Sequence, residues 1–237
     1  MDKISELYHV YEGKQGHRMI GLLLEESGFS ISKTTVHKYM NKELNMYSIV
    51  FRKKSGYIKG IAHKVFPNLL NRNFSAENRN MILCTDFTFI RLKNGRMVYN
   101  CTILDLFNRQ VLASETGSEI TAELAMKTAR KALNFTRSGS LILHSDQGSQ
   151  FTSKKFVKFC EERKITQSMS KAGCPYDNAV MERYFNTLKN EMIYHHSFES
   201  VEMTDRKIKD FAFYWYNRIR PHTYNGGIPP AKVRKLG

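Results

Sequence analysis

The chain has 237 residues, of which 41% are hydrophobic and 25% charged, a balance that excludes wholesale disorder. Its 37 Lys+Arg against 22 Asp+Glu leave a formal charge of +15, which points first to a polyanionic partner, nucleic acid being the commonest. No run approaches the roughly 18 apolar residues of a membrane span, and Met1-Asp2-Lys3 does not open a signal peptide, so a cytoplasmic location is expected.

Residues 1–43 read as short amphipathic helices. Ile4, Leu7, Tyr8 and Tyr11 recur at helical spacing, then Ile20, Leu23 and Leu24, then Val36, Tyr39 and Met40. Ser32 follows the turn Gly28-Phe29-Ser30-Ile31 and is placed to cap a helix starting near Lys33. The pattern fits a helix-turn-helix that sets Lys33, Lys38 and Lys42 against phosphates. It fits equally a small helical packing unit with a solvated basic face. Residues 44–76 contain no acid and six basic residues, Lys53, Lys54 and Lys59 among them, interrupted by Gly56, Gly60 and Pro67. Such a stretch is a basic linker able to lie along a phosphate backbone, or a solvated spacer.

The pattern changes at residue 77 to that of an α/β domain reaching about residue 200. Runs 81–90, 96–105 and 109–115 are rich in β-branched, aromatic and aliphatic residues and predict an antiparallel meander. Helix composition at 121–134, a short strand at 141–143, a helix at 153–163, a strand at 165–169 and a further helix opening at Asp177 follow. The order β-β-β-α-β-α-β-α implies a mixed five-stranded sheet flanked by helices. Residues 201–237 add a helix at about 202–219, with Ile208, Phe211, Ala212, Trp215 and Ile219 on its core face, and a basic tail. Cys84, Cys101, Cys160 and Cys174 form no C-x-x-C pair, so they are expected to be reduced and mostly buried.

Three carboxylates carry the chemistry. Asp86 sits inside the apolar run Leu83-Cys84-Thr85-Asp86-Phe87-Thr88, where a carboxylate is costly unless something pairs with it. Asp146 follows the strand at 141–143 and opens the polar loop Gln147-Gly148-Ser149-Gln150; strand ends are where ligand sites collect. Glu182 lies on the helix that Asp177 is placed to cap, with Asn178 and Lys189 along the same face. Three such acids in a basic protein suit a pair of Mg²⁺ or Mn²⁺ ions, which take oxygen ligands. Two ions about 3.5–4 Å apart can serve an in-line phosphodiester displacement.

These motifs resemble those of the DDE transposases of the insertion-sequence-three group, second reading frame product, within the retroviral integrase superfamily. The resemblance rests on Thr85-Asp86-Phe87-Thr88, on His144-Ser145-Asp146-Gln147-Gly148-Ser149-Gln150-Phe151, and on Tyr176-Asp177-Asn178-Ala179 running through Glu182 to Leu188-Lys189-Asn190-Glu191. Asp146 and Glu182 have 35 residues between them, and Lys189 stands seven after Glu182. Tyr216-Asn217-Arg218-Ile219-Arg220-Pro221-His222 resembles the group's closing segment. The resemblance implies an RNase H-like core with Asp86, Asp146 and Glu182 as catalytic metal ligands for Mg²⁺ or Mn²⁺, two ions in all. Asn178, Arg183 and Lys189 are then expected on DNA, with Lys53, Lys54 and Lys59 on its backbone. Expected partners are the double-stranded inverted-repeat ends and target, further copies of the chain and the upstream-frame protein, in the bacterial nucleoid. Members of the group usually carry Trp where Leu83 stands, and tend to have several tens of residues before the equivalent of Asp2-Lys3-Ile4-Ser5.

Asp105 reads as a turn cap between two strands, the pair His195-His196 as a helix C-terminus, and His144 as an orienting residue beside the site. The expected activity is metal-dependent phosphodiester hydrolysis and strand transfer at insertion-sequence ends. The rival readings are a non-catalytic or truncated DNA-binding regulator of transposition, and a related nuclease.

Overall fold

The computed structural model describes residues 1–49, 64–135 and 141–233. Lys53, Lys54 and Lys59 therefore lie outside the described residues. Three helices open the chain: α1 (Asp2–Val10), α2 (His17–Glu26) and α3 (Lys33–His37), the last continued by a π-helical turn, Lys38–Glu43. Ser32 caps α3 as expected, its hydroxyl accepting the Thr35 N–H at 3.1 Å. Ile4, Leu7, Ile20, Leu24, Val36 and Met40 close a small core of their own. Lys33, Lys38 and Lys42 remain exposed.

The meander forms as predicted: β1 (Ile82–Arg91), β2 (Met97–Asp105) and β3 (Val111–Gly117) pair antiparallel. Gly95, at a positive φ of 84°, makes the first turn. β4 (Leu141–Ser145) and β5 (Ile165–Met169) join the other side of β1 in parallel, giving the order β3-β2-β1-β4-β5. Helix α4 (Ala122–Leu133), the short α5 (Ser149–Thr152) and α6 (Lys154–Glu162) cover one face, packing Ala125, Phe151 and Phe156 on Leu83 and Ile103. Helices α7 (Ala179–Glu191) and α8 (Val201–Lys209) cover the other, packing Tyr184, Leu188 and Ile208 on Cys84, Ile90 and Val98. Each such side chain, fully buried, contributes about 1.5–3 kcal/mol. The result is the expected mixed five-stranded sheet between helices, with β1 central.

Two sequence expectations change. Asp177 does not cap α7; Asn178 occupies the N-cap position, with no side-chain cap bond, and Asp177 sits one residue earlier in a 3₁₀ turn, Pro175–Asn178. Its buried carboxylate is taken by Arg72 Nε at 2.9 Å, Asn68 Nδ2 at 3.0 Å and the Lys171 N–H at 3.1 Å. An ion pair with two further donors holds it more firmly than one cap bond. The expected last helix divides: α8 ends at Lys209 and the π-helical segment Asp210–Ile219 takes over. Its wider turn aligns residues five apart, so Phe211 and Tyr216 share the core face while Trp215 and Ile219 are only half-buried. Asn217 is buried with them, accepting the Val111 N–H and donating to the Val111 carbonyl, each at 2.9 Å.

Residues 64–76 press against the sheet. Pro67 O accepts the Met169 N–H at 3.2 Å, Phe66 packs on one face, and Leu70 and Phe74 pack on the other. The helical region docks on the π-helical segment through Tyr11, 4.9 Å from the Trp215 ring, and Glu26 pairs with Lys232 at 3.2 Å. Cys84, Cys101 and Cys160 are buried and all four cysteines are free, as expected. Among the described residues no helix is long and apolar enough to cross a membrane.

Candidate active site

Strand alternation sends Cys84, Asp86 and Ile90 of β1 to the face covered by α7. There the Phe87 N–H donates to Asp86 Oδ1 at 2.7 Å, and Asn178 Nδ2 approaches Asp86 Oδ2 at 3.4 Å. The parallel register of β1 and β4 pairs Cys84 with His144, so two residues further on Asp86 stands level with Asp146, just past the end of β4. Asp146 Oδ1 accepts the Gly148 N–H at 2.9 Å, which shapes the loop leading into α5. Glu182 lies in the first turn of α7, exposed, on the wall of a cleft of about 1020 Å³ that it shares with Asp86, Phe89, Arg183 and Lys189. Lys189 Nζ lies 4.7 Å from the centre of the Phe89 ring.

The electrostatics of Asp86 follow from this placement. Burial pushes its carboxyl up to about 8, and the negative charges of Asp146 and then Glu182 push the same way, while the Phe87 N–H and Lys189 pull only partly back. Among the described residues no three His, Cys, Asp or Glu side chains converge tightly enough to enclose an ion as they stand. Asp86 and Asp146 are the close pair, and Glu182 is within electrostatic reach of it.

The neighbouring candidates separate cleanly. His144 is buried, with Nδ1 2.8 Å from Ser168 Oγ and Nε2 2.9 Å from the Asp177 carbonyl. Burial lowers its pKa, so a neutral imidazole ties β4, β5 and the turn before α7 together. Asp105 accepts the N–H groups of Phe107 and Asn80, each at 3.0 Å, as a turn cap. His195 and His196 bond the carbonyls of Asn190 and Met192 beyond the end of α7, at 2.7 and 2.9 Å. Asn68 and Arg72 carry no sequence signal of a site, yet they anchor the turn that presents Asn178. The same holds for the pairing of Glu191 with Arg220: Arg220 Nη2 and Nε meet the Glu191 carboxylate at 2.8 and 2.9 Å, both side chains largely buried.

An integrase core domain signature matches residues 76–175, and a second matches residues 163–230. InsK of insertion sequence element IS150 from Escherichia coli K12, a protein classed as a transposase, is 32% identical over 98% of this chain and 81% of its own length. The transposase for insertion sequence element IS904 of Lactococcus lactis is 30% identical over 94% of this chain and 88% of its own. The chain belongs to the insertion-sequence-three group of DDE transposases, in the retroviral integrase superfamily. Solved structures agree on the fold of this transposase. A chain of the simian T-cell lymphotropic virus intasome, solved with PP2A regulatory subunit B56 gamma, aligns with a TM-score of 0.54 at 14% identity, covering 99% of this chain and 76% of that one. The HTLV-2 integrase catalytic core in complex with magnesium, in a trimeric form, aligns at 0.50 with 16% identity, over 65% and 95%. Leu83, three residues before Asp86, is 1% exposed and lies in the core cluster with Ile103 and Leu143.

Proposed function

We propose that this transposase is a metal-dependent DNA strand-transfer enzyme, with Asp86, Asp146 and Glu182 as its metal ligands. The observation that carries this reading is Asp86: a half-buried carboxylate in the central strand, beside like charges and, among the described residues, without an ion pair of its own. Such a cluster calls for a cation, and its all-oxygen donor set suits a hard one. The magnesium of the HTLV-2 integrase core lies in a protein of the same fold, which supports the choice. When bound, Mg²⁺ or Mn²⁺, two ions on this reading, would supply the positive charge that lets water or a 3′-hydroxyl displace a phosphodiester oxygen.

The chain's own residues set the frame. Asp86 is fixed by the Phe87 N–H and by the turn that Arg72 and Asp177 hold. Glu182, exposed on the first turn of α7, would complete the ligand set with Asp86 and Asp146. Lys189, Asn178 and Arg183 would meet the DNA beside the scissile phosphate, and Lys53, Lys54 and Lys59 its flanking backbone. Further copies of the chain, the upstream-frame protein, the inverted-repeat ends and the target DNA are the partners of this reading. A non-catalytic regulator is not favoured, because it gives no use to the Asp86–Asp146 pair with Glu182 in electrostatic reach.

The test is joining of a pre-nicked insertion-sequence end with Mg²⁺ or Mn²⁺, assayed with and without the upstream-frame protein. The wild type is expected to join the end, and Glu182→Gln to bind it equally well without joining. Absence of joining by the wild type under every metal and partner condition would overturn the reading.

A further inference from the structure

Two clefts share α7. Ala179, Arg183 and Thr187 line the carboxylate cleft and also a second one of about 980 Å³, which runs between the start of α2 and the segment carrying Tyr216, His222 and Tyr224. Its charge is one-sided. Arg18, Lys33 and Arg183 are exposed on its walls, and among the described residues no carboxylate pairs with them. The only acid lining it among those residues, Glu191, is already held by Arg220.

The field of these cations registers on the two histidines of the cleft. Burial holds both below the usual imidazole range, and neighbouring positive groups add to it: His37 and Arg18 for His17; Arg220, Arg109 and Arg183 for His222, which is lowered to about 3. His222 Nδ1 is buried with no hydrogen-bond partner among the described residues, a condition that native structures usually relieve with a ligand or water. Gly16 gives α2 no side-chain cap, and its first turn, at His17, Arg18 and Met19, lines the same space.

We propose that this second cleft binds the sugar-phosphate backbone of DNA continuing from the carboxylate cleft, with Arg18, Lys33 and Arg183 on its phosphates. The cations are distributed over α2, α3 and α7 instead of converging on one point, which suits a chain of phosphates better than a single anion. The polyanion is identified as DNA through the reading of the carboxylate cleft, on which this inference rests for that identity. Lys38 and Lys42, also exposed on the helical region, do not line the cleft and serve as controls.

The experiment measures binding of the full chain to a 40-base-pair duplex by fluorescence anisotropy, in EDTA, between 50 and 200 mM salt. Arg18→Gln/Lys33→Gln is expected to reduce the slope of log affinity against log salt by about 1.8, at about 0.9 for each phosphate left without its cation, so the drop in affinity across that range becomes about tenfold smaller. Lys38→Gln/Lys42→Gln is expected to leave the slope near that of the wild type. Both pairs are exposed, and an unchanged melting temperature verifies folding. An unchanged slope for the first pair, or an equal change for the second, overturns the proposal. Displacement of the duplex by polyglutamate as effective as by unlabelled DNA also overturns it, assigning the cleft to an acidic protein. Displacement by low millimolar inorganic phosphate overturns it as well, because the cleft is then a simple anion site. A slope change for the first pair, in a background whose wild type joins DNA under no metal condition, removes the carboxylate reading and still supports the second cleft.

Discussion

Asp86, half-buried, and Glu115, buried, are acids two strands apart in one sheet, and their surroundings drive them in opposite directions. Glu115, on β3, is met by Lys127 and Lys209 at 2.8 and 3.0 Å and by Lys131 at 2.5 Å. Burial alone would raise its pKa, but the three lysine hydrogen bonds outweigh that and hold it at about 2. Asp86 receives like charges and stands at about 8. Where an acid serves only the fold, the chain supplies its cations from α4 and α8. At Asp86 Lys189 offsets only part of the charge, and on the proposed reading a bound cation would complete the balance.

The largest effect expected from breaking this contrast is at Asp146. Asp146→Asn should abolish metal-dependent strand joining, and thermal unfolding should lose its upward shift with Mg²⁺ or Mn²⁺. The same variant without metal should be at least as stable as the wild type, because the like charge beside Asp86 is gone; a clearly lower metal-free melting temperature would make Asp146 a structural acid. Next comes Glu191, another buried acid with its own cation. Glu191→Ala strands Arg220 and the Trp215 N–H, which donates to Glu191 Oε2 at 3.2 Å, and should cost about 3–5 kcal/mol in urea unfolding. Glu115→Ala should cost less, about 2–3 kcal/mol, since Lys127 and Lys131 are 56% and 50% exposed and water screens much of their attraction.

A further effect lies in pH, and it has opposite signs at the two acids. The folded pKa of Glu115 is below its unfolded value, so its contribution is present above the ordinary carboxylate range and is lost as pH falls toward about 2. The folded pKa of Asp86 is above its unfolded value, so stability from this group declines as pH rises from the ordinary carboxylate range toward about 8. Metal-free unfolding followed between pH 5 and 8 should show that decline in the wild type and a flatter profile in Asp86→Asn. Identical profiles would mean that Asp86 is already neutralised within the fold.

The strands, their order along the chain and the placement of the three candidate acids were legible because the signals are local: an apolar run around Asp86, a short apolar run before Asp146, and a helix with Asn178, Glu182 and Lys189 read along one face. The role of Asp177 was not, because Arg72 and Asn68 stand 105 and 109 positions away and nothing near them marks the pairing. Likewise the switch to π-helical winding at Asp210 leaves no mark in composition. Apolar residues at Ile208, Phe211, Ala212 and Trp215 satisfy an α-helical face as well, and only the long-range bonds of Asn217 and Arg220 decide between the two.

That winding ties the segment's length to the rest of the molecule. Removing one residue between 210 and 219 would favour α-helical geometry, at about 100° per residue, and rotate Asn217 away from Val111 and Arg220 away from Glu191 together. Substitutions on its exposed side, as at Tyr214, touch neither bond. Among homologous transposases of this group, insertions and deletions should therefore be rarer in this segment than changes of residue type, with its length conserved more strictly than its composition.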